Sequence, residues 1–220
     1  MHKIIIIIGP PGSGKGTQAK KIASKYDYGH ISTGDLLRGL AGKEQLSAQE
    51  EEAVLKMKAG EMVPDELIYI LAFEAIERNL SAGRGVVLDG AIRNVGQAKE
   101  FDKFFESKNL LSEVMALEIF LSDEDAFSRL TKRRVCGKCG EIVPWLPETK
   151  DITSCPKCGS ELTVRQDDSP EVIQKRIEDQ GEKALEPILD YYKKAEVLKT
   201  INGNQSIENV EKDIEKILTE

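Results

Sequence analysis

The sequence predicts an α/β fold built on a parallel sheet, and three observations carry that prediction. Five consecutive isoleucines, Ile4 to Ile8, make a run that is apolar on both faces. β-Branched residues favour an extended chain, so this is a strand buried on both sides, as inside a parallel sheet. A glycine-rich loop and a helical pattern follow it directly. Further apolar strands at Gly85 to Gly90, Val114 to Leu121 and Val197 to Ile201 then alternate with amphipathic helical patterns, the arrangement produced by helical crossovers between parallel strands.

The loop after the first strand reads Gly9-Pro10-Pro11-Gly12-Ser13-Gly14-Lys15-Gly16-Thr17. Glycines let the backbone turn its N–H groups inward, prolines deny the segment a helix of its own, and the following helix offers its positive end to an anion. With a lysine at that end, the segment is a polyphosphate cradle, or P-loop. The general P-loop pattern places Ser or Thr straight after the lysine, whereas here Gly16 intervenes before Thr17.

Thr17 to Tyr26 places Ala19, Ile22 and Ala23 opposite Lys20, Lys21 and Lys25, an amphipathic helix. In Ser32-Thr33-Gly34-Asp35-Leu36-Leu37-Arg38 a hydroxyl can cap a helix start. Ser47 and Glu50 have capping-box spacing, and the narrow stripe Ala53, Val54, Met57 suggests a small helical flap outside the core. Pro64 suits the first position of a helix marked by Leu67, Ile68, Leu71, Ala72, Ala75 and Ile76. The strand ending at Asp89 puts a carboxylate where Mg²⁺ on bound phosphates would be held. A helix through Val95, Ala98, Phe101, Phe104 and Phe105 follows, and Ser122 with Asp125 caps another that ends in Arg129, Arg133 and Arg134.

Cys136-x2-Cys139 and Cys155-x2-Cys158, fifteen residues apart, form a four-thiolate pattern, with Gly140 and Gly159 suited to tight knuckles around tetrahedral Zn²⁺. A pair of redox motifs is the alternative, though neither pair opens a helix after a strand. No further ligand leaves a position open, so the zinc is read as structural, with iron as the rival metal. Ser169-Pro170 then starts one long helix, with apolar positions Ile173, Ile177, Ala184, Leu185, Ile188 and Leu189 and a bend expected at Pro187. Asn202-Gly203 reads as a turn and Ser206 onward as a closing amphipathic helix. His2 and His30 read as ordinary surface or core residues.

At 220 residues the chain can bury a real core, and no linker divides it. The formal net charge of −7 argues against a nucleic-acid or acidic-membrane partner, so any anion must be held locally. With no export pattern and no apolar run of the ~18 residues a membrane helix needs, a cytoplasmic protein is expected, and nothing demands an oligomer, so a monomer.

In order along the chain, GPPGSGKGTQA, HISTGDLLR, VPDE, VVLDG, Arg133-Arg134-Val135-Cys136, the paired cysteines, RQDD and NGNQSI resemble adenylate kinases of the kind whose lid carries zinc. The resemblance implies a P-loop doubly wound parallel five-stranded sheet, with a core of residues 1–31, 65–133 and 169–220. It further implies a helical AMP-binding insertion at 32–64 and a zinc-binding lid at 134–168. The implied reaction is reversible phosphoryl transfer from Mg-ATP to AMP, giving two ADP, with the lid closing to exclude water.

By the same resemblance Gly12, Ser13, Gly14, Lys15, Gly16 and Thr17 hold ATP phosphates. Arg129 lies against the ATP adenine, with Thr200 also on the ATP side. Arg93, Arg133, Arg165 and Arg176 join Lys15 around the transferring group. Thr33, Gly34, Arg38, Met62, Val63, Gly90, Arg93, Gln97, Arg165 and Arg176 form the AMP side, with Thr33 and Gln97 recognising adenine. Asp35 and Asp89 order the waters of Mg²⁺.

One departure stands out. The family motif Asp-Gly-Phe-Pro-Arg is Asp89-Gly90-Ala91-Ile92-Arg93 here. A cis bond before Ile92 would cost about 2.5–4 kcal/mol, so a trans bond is expected, with a rearranged loop presenting Arg93 and a less walled acceptor-base site. Two other functions fit parts of the sequence: a nucleoside-monophosphate kinase acting on UMP or CMP, and a nucleic-acid-binding ATPase with a zinc ribbon. The ribbon reading requires a basic segment, but six cations and six anions balance between Arg133 and Asp168, with Trp145 the one aromatic.

Overall fold

In a computed structural model, which describes residues 2–42, 45–61, 63–145, 149–165 and 168–219, the isoleucine run is the central strand of a five-stranded parallel sheet. Strand β1 (Ile4–Ile8) pairs on one side with β3 (Val86–Asp89) and on the other with β4 (Val114–Phe120). The edges are β2 (Gly29–Ser32), beside β3, and β8 (Leu198–Asn202), beside β4, giving the order β2-β3-β1-β4-β8.

Alternation along β1 divides the core in two. Ile4, Ile6 and Ile8 face helices α4 (Asp65–Ser81), α5 (Val95–Ser107) and α8 (Glu182–Lys194), where Ile76, Phe101, Phe105, Ile188 and Tyr192 are buried. Ile5 and Ile7 face α1 (Lys15–Tyr26) and α9 (Ile207–Thr219) through Ala19, Ile22, Val210 and Ile214. Fully burying one such side chain contributes roughly 1.5–3 kcal/mol, so this strand is a large share of what holds the sheet between its helices.

The segment between β2 and α4 forms α2 (Thr33–Leu40) and α3 (Ala48–Lys58), which share a separate apolar cluster of Leu37, Leu40, Ala53, Val54, Val63, Leu67 and Ile68. Ser47 and Glu50 make the expected capping box, and Ser32 accepts the Asp35 N–H. Pro64 sits at the N-cap of α4, one position earlier than the sequence suggested. Helix α6 (Asp123–Lys132), capped by Ser122, leads into a small antiparallel sheet of β5 (Arg134–Cys136), β6 (Ile142–Val143) and β7 (Leu162–Thr163), ordered β6-β5-β7.

The long helix expected after Ser169 is two helices. Helix α7 (Pro170–Gln180) ends at Gly181 and α8 begins at Glu182, while Pro187 lies inside α8. The break has a local cause: Asp123 Oδ1 accepts the Glu182 N–H at 2.9 Å, and a Cβ at Gly181 would stand 2.4 Å from the Ile177 carbonyl oxygen. Only glycine lets the chain turn between those groups. All peptide bonds among the described residues are trans, including the one before Ile92. Ala91 and Ile92 are both buried in the core facing α4 and α5.

Candidate active site

The carboxyl ends of the parallel strands, where the strand order reverses beside β1, are where such sheets bind ligands. The P-loop lies there. Gly12 and Gly14 take φ of +83° and +93°, left-handed conformations that a side chain would strain, and Gly14 directly precedes α1. Lys15 turns back along the loop and donates to the Pro10 carbonyl at 3.0 Å. Burial pushes its pKa from 10.5 down to about 8; nearby Asp89 opposes that shift, while Arg93, Arg176 and Arg133 reinforce it. Arg93 is likewise lowered to about 10 by burial and then by Arg176, with Asp89 opposing and Arg38 adding to the shift. These cations are within electrostatic reach of one another in a desolvated cleft, which favours an anionic ligand.

Asp89, opposite Ile7 in register, ends β3 against the loop. A Cβ on Gly16 would approach its Oδ2 to 3.0 Å, so any side chain there would press on that carboxylate. Burial works to raise the Asp89 pKa, but His30, Lys15 and Ser32 together hold it below the ordinary carboxylate value. His30, read from sequence as an ordinary residue, stands with Nε2 3.5 Å from Asp89 Oδ2. Asp35 Oδ1 accepts from Arg38 Nη2 at 2.6 Å, and Arg38 folds over Gly34, whose missing side chain leaves room for it.

Arg133 and Arg176 converge on Asp168, which the sequence reading did not single out as a site residue. Arg133 donates from Nε to Oδ2 at 2.8 Å and from Nη2 to Oδ1 at 2.7 Å, and Arg176 donates from Nη1 to Oδ1 at 3.0 Å. The carboxylate is fully buried, so it fixes two guanidinium groups, one from the residue that follows α6 and one from α7. Arg165 belongs to the same turn, its carbonyl accepting the Asp168 N–H at 3.1 Å. The signal was present as the RQDD motif, but nothing in the sequence says that Asp168 is buried.

On the other side of the sheet's end, Arg93 Nε donates to the Gly90 carbonyl at 3.0 Å and Thr33 Oγ1 donates to the same oxygen at 2.8 Å. Leu37, Val63, Ile68, Gly90, Ala91, Arg93 and Gln97 line a small pocket there. Ala91 therefore still contributes an apolar wall. Met62 lies outside the described residues. Arg129 donates to the Gly203 carbonyl at 3.0 Å. The Thr200 hydroxyl donates to Glu118 Oε2 at 2.7 Å, across the β4–β8 pair.

The four cysteines do meet, with all sulfurs within 4.8 Å of one another. Their two knuckles are built alike: Gly140 and Gly159 N–H groups donate to the Cys136 and Cys155 carbonyls at 3.0 and 2.8 Å, each glycine at positive φ. Closest Sγ–Sγ separations of 3.5 Å are near the ~3.8 Å that four sulfurs about 2.3 Å from a tetrahedral zinc would show. The Ser160 backbone N–H and hydroxyl favour the thiolate form of Cys158, while its close sulfur neighbours push Cys139 the other way, so the four thiols share their protons as one cluster. The donor set fits zinc.

Among the described residues no helix is long and apolar enough to cross a membrane. The family model described as adenylate kinase matches residues 7–197. Relatives named adenylate kinase include one from Caldanaerobacter subterraneus subsp. tengcongensis, 41% identical over 97% of this chain and 95% of its own. One from Clostridium acetobutylicum is 39% identical over 98% and 99%, and one from Archaeoglobus fulgidus 36% identical over 97% of each.

Proposed function

The chain belongs to the adenylate kinase family, and from that premise we propose that it transfers the γ-phosphoryl group of Mg-ATP to AMP, giving two ADP, with closure of its two insertions excluding water. The family accounts for phosphoryl transfer among adenine nucleotides. The observation that carries the rest is the grouping of Lys15, Arg93, Arg133 and Arg176 at the mouth of the P-loop.

Phosphoryl transfer requires in-line placement and positive charge around the equatorial oxygens, with little covalent work by the protein. Lys15 and the backbone of Gly12 to Thr17 bind the donor phosphates, and Arg129 lies along the donor base. Arg38 and Arg93 grip the acceptor phosphate, while Arg133, Arg165 and Arg176 stabilise the group in flight. Thr33, Gly34, Val63, Gly90 and Gln97 form the acceptor-base side. Asp89 and Asp35 would order the waters of Mg²⁺, the Arg38–Asp35 pair being an exposed contact that leaves both groups their roles; Mg²⁺ would supply charge neutralisation on the phosphates.

The protein is divided as a core of 1–31, 65–133 and 169–220, an acceptor insertion of 32–64 and a lid of 134–168, in which Cys136, Cys139, Cys155 and Cys158 hold a structural zinc. It works as a cytoplasmic monomer.

The test is ADP formation from ATP and Mg²⁺ with AMP, GMP, CMP and UMP in turn. Transfer to AMP well above the others is expected. Preference for UMP or CMP would overturn the acceptor assignment, and ATP hydrolysis without transfer would overturn the reaction.

A further inference from the structure

Gln97 is 2% exposed, yet its side-chain amide is fixed by two groups of opposite and unambiguous polarity. Its Oε1 accepts the backbone N–H of Arg93 at 2.6 Å, and its Nε2 donates to Asp65 Oδ1 at 2.7 Å. A backbone N–H can only donate, and an ionised carboxylate can only accept. Rotating the amide by half a turn would set donor against donor at Arg93 and acceptor against acceptor at Asp65. The geometry therefore points to Asp65 as a positioning residue that locks the Gln97 amide in one orientation and thereby sets which purine edge the acceptor pocket accepts, a role that rests on the acceptor reading above.

The locked amide has unused capacity on each atom, one N–H on Nε2 and one lone pair on Oε1. Gln97 lines the same pocket as Leu37, Val63, Ile68 and Ala91, where apolar walls hold a ring and cannot tell one purine from another. Gly90 and Arg93 complete the lining, but the Gly90 carbonyl already accepts from Thr33 and Arg93, and the Gln97 amide is the lining side chain that offers a donor and an acceptor side by side. A 6-aminopurine offers a ring acceptor beside an exocyclic donor; a 6-oxopurine offers a ring donor beside an exocyclic acceptor. For a ring held in one pose, the two need opposite amide orientations. Asp65 is the first residue of α4.

The experiment compares AMP with IMP, which differ at this edge alone, in the wild type and in Asp65→Asn and Asp65→Ala. Asp65→Asn keeps shape while replacing the obligate acceptor by a group that can also donate; Asp65→Ala removes the acceptor. The expected result is a fall of about tenfold in the AMP-over-IMP ratio of kcat/KM, larger for Ala than for Asn, with KM for ATP unchanged. A variant that loses AMP and IMP turnover in equal proportion, or keeps the wild-type ratio, would overturn the lock while leaving the acceptor reading intact. A wild type that uses IMP as readily as AMP would overturn the acceptor reading and the lock with it. Urea unfolding midpoints of all three proteins separate the ratio from a change in stability.

Discussion

Lys15 is held in surroundings that oppose its charge. Its pKa of about 8, against an ordinary 10.5, means that folding costs this group about 3 kcal/mol below pH 8. Between about pH 8 and 10.5 the unfolded chain binds more protons than the folded one, so stability rises with pH across that window. The ligand-free wild type should gain stability from pH 7.5 to 10 relative to Lys15→Met, measured by urea unfolding; parallel profiles would contradict the shift. The same lysine binds phosphate when protonated, so kcat/KM for ATP, which reports the free enzyme, should fall above pH 8. Asp168 has the converse role, a buried anion shared by Arg133 and Arg176. Asp168→Asn should lower kcat by about 10- to 100-fold and cost about 3–5 kcal/mol in unfolding free energy. Lys15 and the four cysteines were legible because their spacing implies their chemistry. Asp168 and His30 were not, since only the fold shows which neighbours they meet. Thr200 shows the limit from the other side: its place in the last strand could be read, but not that its hydroxyl turns to Glu118.

At the scale of elements, periodicity located four of the five sheet strands and most helices, though not the short edge strand β2, and the caps at Ser32, Ser47 and Ser122 formed as their spacing suggested. The division between α7 and α8 escaped because the apolar stripe runs on through Gly181, and its cause is a contact with distant Asp123. Gly181→Ala should cost about 1–3 kcal/mol, read as a lower urea midpoint, because its Cβ would meet both the Ile177 carbonyl and Asp123 Oδ1. The β5–β7 sheet has little apolar surface and leans on its knuckles instead. Arg134 sits 5.0 Å from the ring of Trp145, the one tryptophan of the chain, which makes that residue a reporter of the segment. Chelation of the metal should shift Trp145 fluorescence at temperatures where far-ultraviolet circular dichroism still reports a folded core; simultaneous loss of both signals would contradict a locally structural metal.

For the molecule as a whole, the parallel sheet follows from its apolar runs and its five strands from resemblance, whereas the strand order is visible only in the fold, since no local pattern dictates which buried strand neighbours which. That order matters: setting β3 and β4 on either side of β1 brings Asp89 to the P-loop, and arginines from the loop after β3 (Arg93), the end of α6 (Arg133) and α7 (Arg176) reach one cleft from different parts of the chain. The central claim is that this cleft moves a phosphoryl group between two nucleotides and keeps water out. The direct measurement follows γ-labelled ATP with Mg²⁺, with and without AMP. Label should appear in ADP only when AMP is present, with little released as inorganic phosphate; release of labelled phosphate at a similar rate in both cases would contradict the account.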